Sequence, residues 1–164
     1  MILMNAVLVA TDFGETSISA LTYGRNLART FGARLHVLHV AEKMSTTAGD
    51  ELFAGDLDTL QAEVVEHATT RLKAALTDND LTTLRAVPVV RVSSDPARAI
   101  IEYAREAHVD IIVAGTHGRG AVSQLFMGSV AEHVVRRAPC PVLVVRPNEH
   151  DFVVPDLVSA QTRI

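Results

Sequence analysis

The sequence of 164 residues contains one cysteine, two lysines, no tryptophan and no long apolar run. A single cysteine, Cys140, excludes an internal disulfide and with it the small disulfide-stapled secreted scaffolds. The lysines are Lys43 and Lys73, and the formal net charge is −4. Proteins that bind phosphate backbones concentrate Lys and Arg on one face, so we expect no nucleic-acid partner.

The shortness of the apolar runs bears on membrane insertion and export. No run approaches the roughly 20 apolar residues that a helix needs to cross a bilayer, so we expect no membrane partner. The apolar start, residues 1–10, lacks a basic leader and a cleavage region, which indicates a strand and not a secretory signal. We expect a cytoplasmic protein. The length predicts one domain, placed at residues 1–147, followed by a C-terminal tail, residues 148–164.

Short apolar runs and helical patterns alternate along this domain. The continuous run at residues 6–10 is typical of a strand buried on both faces of a parallel sheet, and further strands are predicted at residues 34–40, 86–92, 110–114 and 142–145. Between them, helical spacing predicts a helix that is capped by Thr16 or Ser17 and stopped by Gly32, and further helices that start at Leu57, at Pro96 and at Ser129. Five alternations predict an α/β fold with right-handed crossovers. We expect a single doubly wound five-stranded parallel sheet, strand order 3-2-1-4-5, with helices on both faces.

The strand order reverses between the first and fourth strands, and open sheets bind ligands beyond the carboxyl ends of their strands at that point. Two segments meet there: TDFGETS, residues 11–17, and GTHGRGAVSQLFMGS, residues 115–129. An aspartate after a strand often caps a turn. At the reversal, Asp12 is also placed to accept hydrogen bonds from ribose hydroxyls or an adenine amino group, and this position favours a role in ligand binding.

The second segment holds four of the nine glycines. Gly115, at the end of a strand, can adopt a positive φ and lets a ligand approach the backbone. Gly128 and Ser129 stand where the last helix begins, so unpaired amides and the positive end of the helix dipole favour an anion such as phosphate. The Ser129 hydroxyl can donate to a phosphate oxygen. Two alternatives stay open for Arg119: it closes over the phosphates, or it is simply solvated.

Other motifs for nucleotides and metals do not fit. A P-loop requires Gly-Lys-Ser/Thr, and no lysine lies near these glycines. The turn after the first strand has no G-x-G-x-x-G, which excludes the dinucleotide fingerprint. His36 and His39 lie three apart on a predicted strand, so they should face opposite sides of the sheet and cannot share a metal.

One arrangement resembles a known family. Gly115-Thr116-His117-Gly118, nine residues and Gly128-Ser129 are similar to the nucleotide-binding signature of the universal stress protein family. The resemblance covers about residues 3–147 and includes VLVATDFGETS, LHVLHV and CPVLVVRP. In the ATP-binding branch of the family, it implies that the adenosine is held by Asp12 and by the main chain of Val40. The ribose and phosphates would be held by Gly115, Gly118, Gly128 and Ser129, with the Val130 amide nearby.

The sequence thus predicts a stress-response protein that binds ATP, ADP or AMP, with or without Mg²⁺. Phosphoryl transfer requires charge neutralisation and an oriented nucleophile, whereas the loop offers amides, one serine and one arginine. We therefore predict a regulatory or binding module and not an enzyme, with slow ATP hydrolysis left open. Two alternatives remain: a dimeric stress or interaction module that does not bind ATP, and an adenylate-forming or thiolation enzyme on a related fold.

The last predicted strand also bears on assembly. In the order 3-2-1-4-5 it forms an edge of the sheet, yet it is apolar on both faces. An uncovered apolar edge invites pairing with another chain. We expect a homodimer built around this strand and its two-fold copy, as the family resemblance also implies. The residues concerned are Val142, Leu143, Val144 and Val145.

Overall fold

The computed structural model describes residues 1–45, 54–116 and 128–146. Strands and helices alternate through them. The strands are β1 (Ala6–Ala10), β2 (Arg34–Glu42), β3 (Val87–Ser93), β4 (Ile111–Gly115) and β5 (Val142–Val145). The helices are α1 (Glu15–Phe31), α2 (Ala54–Ala75), α3 (Asp78–Thr82), α4 (Pro96–Glu106) and α5 (Ser129–Arg137).

The five strands form one parallel sheet in the order β3-β2-β1-β4-β5, which confirms the predicted topology. β1 lies in the middle, with β2 on one side and β4 on the other. Its last residue, Ala10, pairs with Leu38 of β2 and with Ala114 of β4. The carboxyl ends of these three strands therefore meet at one edge, where the chain reverses its direction of winding.

The core has two halves, one on each face of the sheet. Because side chains alternate along a strand, Val7 and Val9 contact one half and Leu8 contacts the other. The first half is closed by α1 and α2 and the second by α4 and α5. All three side chains are fully buried. Burial of each contributes about 1.5–3 kcal/mol relative to an exposed position.

The start of α1 differs from the prediction. The helix begins at Glu15 with Gly14 as its N-cap, and no side chain caps it. Neither Thr16 nor Ser17 is the cap, because both already lie within the first turn, where the Ser17 hydroxyl donates to Asp12 at 2.8 Å. The predicted end is confirmed, since Gly32 closes the helix in the left-handed region at φ 65°.

The middle of the chain shows two further differences. The sequence predicts one apolar, core-facing side of α2 over residues 57–75, but Leu60 and Val64 are exposed, and burial is complete only near Ala68 and Leu72. The short helix α3 was not predicted at all. Among the described residues, no helix has the length and apolarity that crossing a membrane requires.

Candidate functional site

A cavity of about 460 Å³ lies beyond the carboxyl ends of β1, β2 and β4. The turn after β1, the end of β2, the first turns of α4 and α5 and the end of β4 form its wall. Six of the eight predicted site residues line it together: Asp12, Val40, Gly115, Gly128, Ser129 and Val130. The other two, Gly118 and Arg119, lie outside the described residues. The structure thus places the six at one crevice, while the role of each in ligand binding stays a prediction.

Asp12 presents two carboxylate oxygens in very different surroundings. Oδ1 accepts a hydrogen bond from the Gly14 N–H at 2.9 Å and another from the Ser17 hydroxyl at 2.8 Å. Oδ2 is buried and has no hydrogen-bond partner in the described parts of the chain. Buried polar atoms are nearly always paired in native proteins, so Oδ2 is an acceptor that lacks a donor among the described residues.

The turn that carries Asp12 is held by its neighbours. Phe13 adopts the left-handed conformation, φ 65°, and its N–H donates to Thr11 Oγ1 at 3.0 Å. The Phe13 ring lies 4.5 Å from the His39 ring, and the Arg71 guanidinium stands 4.1 Å from the Phe13 ring centroid. Such ring and cation contacts contribute about 0.5–1 kcal/mol each and help to hold an otherwise unfavourable backbone angle.

The same turn leaves the end of β2 accessible from the cavity. In a parallel ladder, alternate residues direct their peptide groups to the same neighbour, and the Leu38 carbonyl accepts from the Thr11 N–H on the β1 side. Val40, two residues further on, therefore also directs its peptide groups to that side. The N–H that would continue the ladder, that of Phe13, donates to Thr11 Oγ1 instead. The Val40 carbonyl consequently receives no ladder bond from β1.

Backbone hydrogen bonds hold the glycine-rich segment, residues 115–129, at both of its described ends. The Thr116 N–H donates to the Val145 carbonyl at 2.8 Å, and the Gly128 N–H donates to the Thr116 carbonyl at 2.7 Å. The Gly128 amide is thus engaged inside the protein, which corrects the expectation that it is bare. In α5 the first amide bonded within the helix is that of Glu132, to the Gly128 carbonyl. No side chain caps this helix, so its first three N–H groups, at residues 129–131, receive no helical partner.

The reason for glycine at position 115 also differs from the prediction. Among the described glycines, the positive φ belongs to Gly32 and not to Gly115. A Cβ added at Gly115 would instead lie 2.6 Å from Thr16 Oγ1 and 3.0 Å from the Thr16 carbonyl carbon. Gly115 is therefore required because the first turn of α1 packs directly on the end of β4. This contact brings Asp12 and the glycine-rich segment to the same crevice.

Several polar wall residues were not predicted as part of the site: Thr11, Ser17, His39 and Thr116. Ser17 and Thr116 are buried polar side chains, and nothing in the composition of the sequence distinguishes them from other serines and threonines. Of the described wall residues, Asp12 and His39 are the ones with ionisable side chains. In the described ranges, no cluster of three His, Cys, Asp or Glu residues is arranged to hold a metal ion.

The two strand histidines face opposite sides of the sheet, as predicted. His39 Nδ1 lies 2.8 Å from the Thr11 carbonyl and its ring contacts Phe13. His36 Nδ1 lies 2.7 Å from the hydroxyl of Tyr103 in α4, on the other face. Burial, together with the nearby charge of Arg34, lowers the pKa of His36, which favours a neutral imidazole. His36 thus serves the core, while His39 shapes the cavity.

Comparisons with known proteins agree with this architecture. The profile of the universal stress protein family matches residues 4–146. The Thermus aquaticus "Universal stress protein in QAH/OAS sulfhydrylase 3'region" is 33% identical over 144 residues, which cover 88% of this chain and 100% of the relative. A solved universal stress family protein from Burkholderia pseudomallei is 28% identical, with a TM-score of 0.65 over 87% of this chain and 96% of the other.

A further solved relative, a universal stress protein in complex with cAMP, is 25% identical. Its TM-score is 0.57, and the match covers 88% of this chain and 99% of that one. The family profile extends over nearly all the described residues, from before β1 to the end of β5. The chain therefore belongs to the universal stress protein family.

Proposed function

We propose that the cavity binds an adenine nucleotide, ATP or its di- or monophosphate, and that the protein belongs to the ATP-binding branch of its family. The observation that carries this proposal is the buried Oδ2 of the wall residue Asp12, which has no hydrogen-bond partner among the described residues. A carboxylate oxygen accepts hydrogen bonds only, so its partner must present an O–H or N–H group. Ribose hydroxyls and the adenine amino group both meet this requirement.

Support for the adenosine half comes from the end of β2 and from α4. A main-chain N–H and C=O beside each other match the acceptor and donor pair on the Watson–Crick edge of adenine, and the Val40 peptide groups point to the cavity side of β2. Apolar side chains from Leu38, Pro96 and Ile100 line the wall nearby. Ligand sites commonly combine such an apolar wall with a few directed polar groups.

Support for the phosphate half comes from α5. Its first-turn amides lack helical partners, and the positive end of its dipole lies at the cavity wall, where Gly128, Ser129 and Val130 stand. We propose that these residues hold the ribose and phosphates together with Gly115, and that Gly118 and Arg119 contribute from the glycine-rich segment. The solved relative in complex with cAMP, another adenine nucleotide, supports the ligand class.

We further propose a regulatory or binding module in place of an enzyme. Asp12 is the one carboxylate on the described wall, and a single carboxylate offers little to hold Mg²⁺ or to orient an attacking water. Slow ATP hydrolysis is compatible with this role. Residues 1–147 form the nucleotide-binding domain of the proposal and residues 148–164 its tail. A cytoplasmic location remains a prediction.

A thermal shift measurement tests the nucleotide. Ligand at a hundredfold excess over its Kd stabilises the folded state by about 2.7 kcal/mol. For a domain of this size, the Tm should rise by roughly 5–10 °C with ATP, ADP or AMP, each measured with and without Mg²⁺. No shift with any of the three would contradict the proposal and favour the nucleotide-free interaction module.

Gly128→Val is the site variant for this experiment. Gly128 has φ −62° and ψ 149°, angles that valine adopts without strain, so the far-UV circular dichroism should not change. Because Gly128 lines the cavity, we expect the added side chain to abolish the nucleotide-dependent Tm shift. Ala74→Val, on the exposed side of α2, is the control and should retain the full shift. A nucleotide-dependent Tm shift as large as that of the wild type in Gly128→Val would show that the N-terminus of α5 is not part of the binding site.

A further inference from the structure

We propose that Ser17 is a positioning residue, whose hydroxyl fixes the Asp12 carboxylate so that Oδ2 alone is presented to the ligand. The inference rests on the proposed nucleotide site and adds a residue that acts through Asp12. Ser17 is 3% exposed and lies in the first turn of α1, at the inner wall of the cavity. It is therefore a buried hydroxyl whose partners are set by the protein.

The first step of the inference is the saturation of Oδ1. This oxygen receives the Gly14 N–H at 2.9 Å and the Ser17 hydroxyl at 2.8 Å. Two donors, one from the backbone and one from a side chain, approach the same oxygen, while Oδ2 receives none from the described residues. The difference between the two oxygens is therefore imposed by the turn and by Ser17, and it exists before any ligand arrives.

The second step is the direction of the protons. The Phe13 N–H donates to Thr11 Oγ1 at 3.0 Å, and the Thr11 hydroxyl proton is free to point to Ser17 Oγ at 3.1 Å. Ser17 then has one proton of its own, and Asp12 Oδ1 is its charged acceptor. The Gly14 carbonyl, 2.9 Å from Ser17 Oγ, is the neutral competitor. Hydrogen bonds to an ionised group are the stronger ones, so the chain of donors ends on Asp12.

The third step is what the ligand gains. The terminal torsion of an aspartate is broad and roughly two-fold, so a free carboxylate exchanges its two oxygens and spreads over many orientations. With Oδ1 held by two donors, this motion is removed in the unbound protein. A ligand then finds a single acceptor in a fixed place and does not have to order it on binding. The site should therefore accept one O–H or N–H donor at Asp12, not two.

Isothermal titration of the full chain with ATP tests this role. We expect Ser17→Ala to raise the Kd about tenfold, in keeping with the loss of one hydrogen bond to a charged group. Ser17→Thr keeps the hydroxyl and should recover most of the affinity. Ser19→Ala is the matched control, because Ser19 lies on the same helix and, within the described parts of the chain, its hydroxyl bonds only the Glu15 carbonyl, at 3.4 Å. Its Kd should equal that of the wild type.

A double-mutant cycle separates positioning from a direct or purely structural role. In an Asp12→Ala background, Ser17→Ala should change the Kd less than about twofold, because the residue that it positions is gone. An equal loss in both backgrounds would overturn the inference, and so would a Ser17→Ala variant that binds as the wild type does. In either case ATP still binds the wild type, so the proposed function stands.

A measurement without nucleotide completes the test. A crystal structure of Ser17→Ala should show the Asp12 carboxylate rotated or in two conformers, with Oδ1 bonded to Gly14 alone. An Asp12 side chain in its original place would overturn the inference. If the wild type binds no adenine nucleotide, the proposed function fails, and this structure still decides whether Ser17 positions Asp12.

Discussion

Glycine sets the distance between α1 and the sheet. Gly24 faces β1 from the middle of α1, and a Cβ added there would collide with Cγ2 of Val9. Val9 is fully buried, and its branched side chain has little freedom to turn away. Gly115 has the same function at the end of β4, where it makes room for Thr16. At both positions close approach, and not an unusual backbone angle, requires the glycine.

Gly24→Ala should therefore destabilise the protein although alanine favours a helix. Overpacking costs about 1–3 kcal/mol, whereas the helix gains at most about 1 kcal/mol from the replacement. Val9→Ala removes the colliding methyl group, so the double variant should be more stable than the sum of the two single effects by about 1 kcal/mol or more. Urea unfolding of the four proteins measures this coupling. Simple additivity would show that the contact with Val9 is not the cause.

At the level of the elements, α3 joins three parts of the chain that the sequence keeps apart. Thr77 and Asp80 form a reciprocal capping box at its start. Asp80 also accepts from the Arg25 side chain of α1 at 2.9 Å, and Arg25 bonds the Ala75 carbonyl at the end of α2. Burial alone would raise the pKa of Asp80, but the hydrogen bonds from Arg25 and Thr77 outweigh it and hold this pKa below its usual range.

Replacement of Asp80 should show how much its hydrogen bonds contribute to the stability of the protein. We expect Asp80→Asn to lower the free energy of unfolding at pH 7 by about 2–3 kcal/mol, since the 1% exposed Asp80 carboxylate becomes a neutral amide and the Arg25 guanidinium loses its charged partner. Asp78→Asn, exposed in the first turn of the same helix, should cost less than about 0.5 kcal/mol. Urea unfolding at pH 7 measures both, and equal effects would contradict the role of the Arg25 contact.

The ion pair of Arg25 with Asp80 should also make the free energy of unfolding depend on pH. The sign is opposite to that for a histidine whose pKa is raised in the folded state. A carboxyl with a lowered pKa in the folded state stabilises the protein fully above its unfolded pKa of about 3.9. This stabilisation is lost as the pH falls through the lower pKa that the carboxyl has in the folded state. The difference between wild type and Asp80→Asn should therefore shrink below about pH 4. A difference that stays constant down to pH 2 would show that the carboxylate charge is not involved.

At the scale of the whole molecule, the sheet has two unlike edges. β3 carries Pro88, which cannot donate a ladder bond, and the exposed Val92. β5 is a short apolar strand in which three of four residues are only partly buried. Its last carbonyl, that of Val145, holds the Thr116 N–H at the start of the glycine-rich segment. We propose that β5 is the homodimer edge, which would place the partner subunit near the nucleotide site.

A charge on this edge should separate the subunits. Val144→Lys places an ammonium group in the proposed interface, so a dimer in the wild type should become a monomer in sedimentation velocity. Val92→Lys is the control on the opposite edge and should leave the dimer intact. Far-UV circular dichroism checks that both variants fold. A wild type that is monomeric at high concentration, or a control that also dissociates, would remove β5 as the interface.

The sequence alone determined the fold, and it predicted where the candidate site lies. Continuous apolar runs at 6–10 and 111–114 indicate strands buried on both faces, and their alternation with helices leaves few possible topologies. The reversal point and the helix start at Gly128 and Ser129 follow from the same local patterns. These features are predictable because each depends on neighbouring residues along the chain. The predicted ligand roles of Gly118 and Arg119 also come from sequence, and they remain predictions.

Only the tertiary structure decided which atoms at the site are free. Gly115 is a glycine because Thr16, 99 positions earlier in the numbering, packs on it. The junction of Arg25 with Asp80 spans 55 residues. The Asp12 oxygen that has no partner among the described residues depends on where α1 begins, and the sequence patterns placed the cap of that helix two or three residues too late. Local periodicity reports which faces are buried, whereas hydrogen-bond satisfaction depends on atoms brought together from distant segments, so it is settled only when the chain is folded.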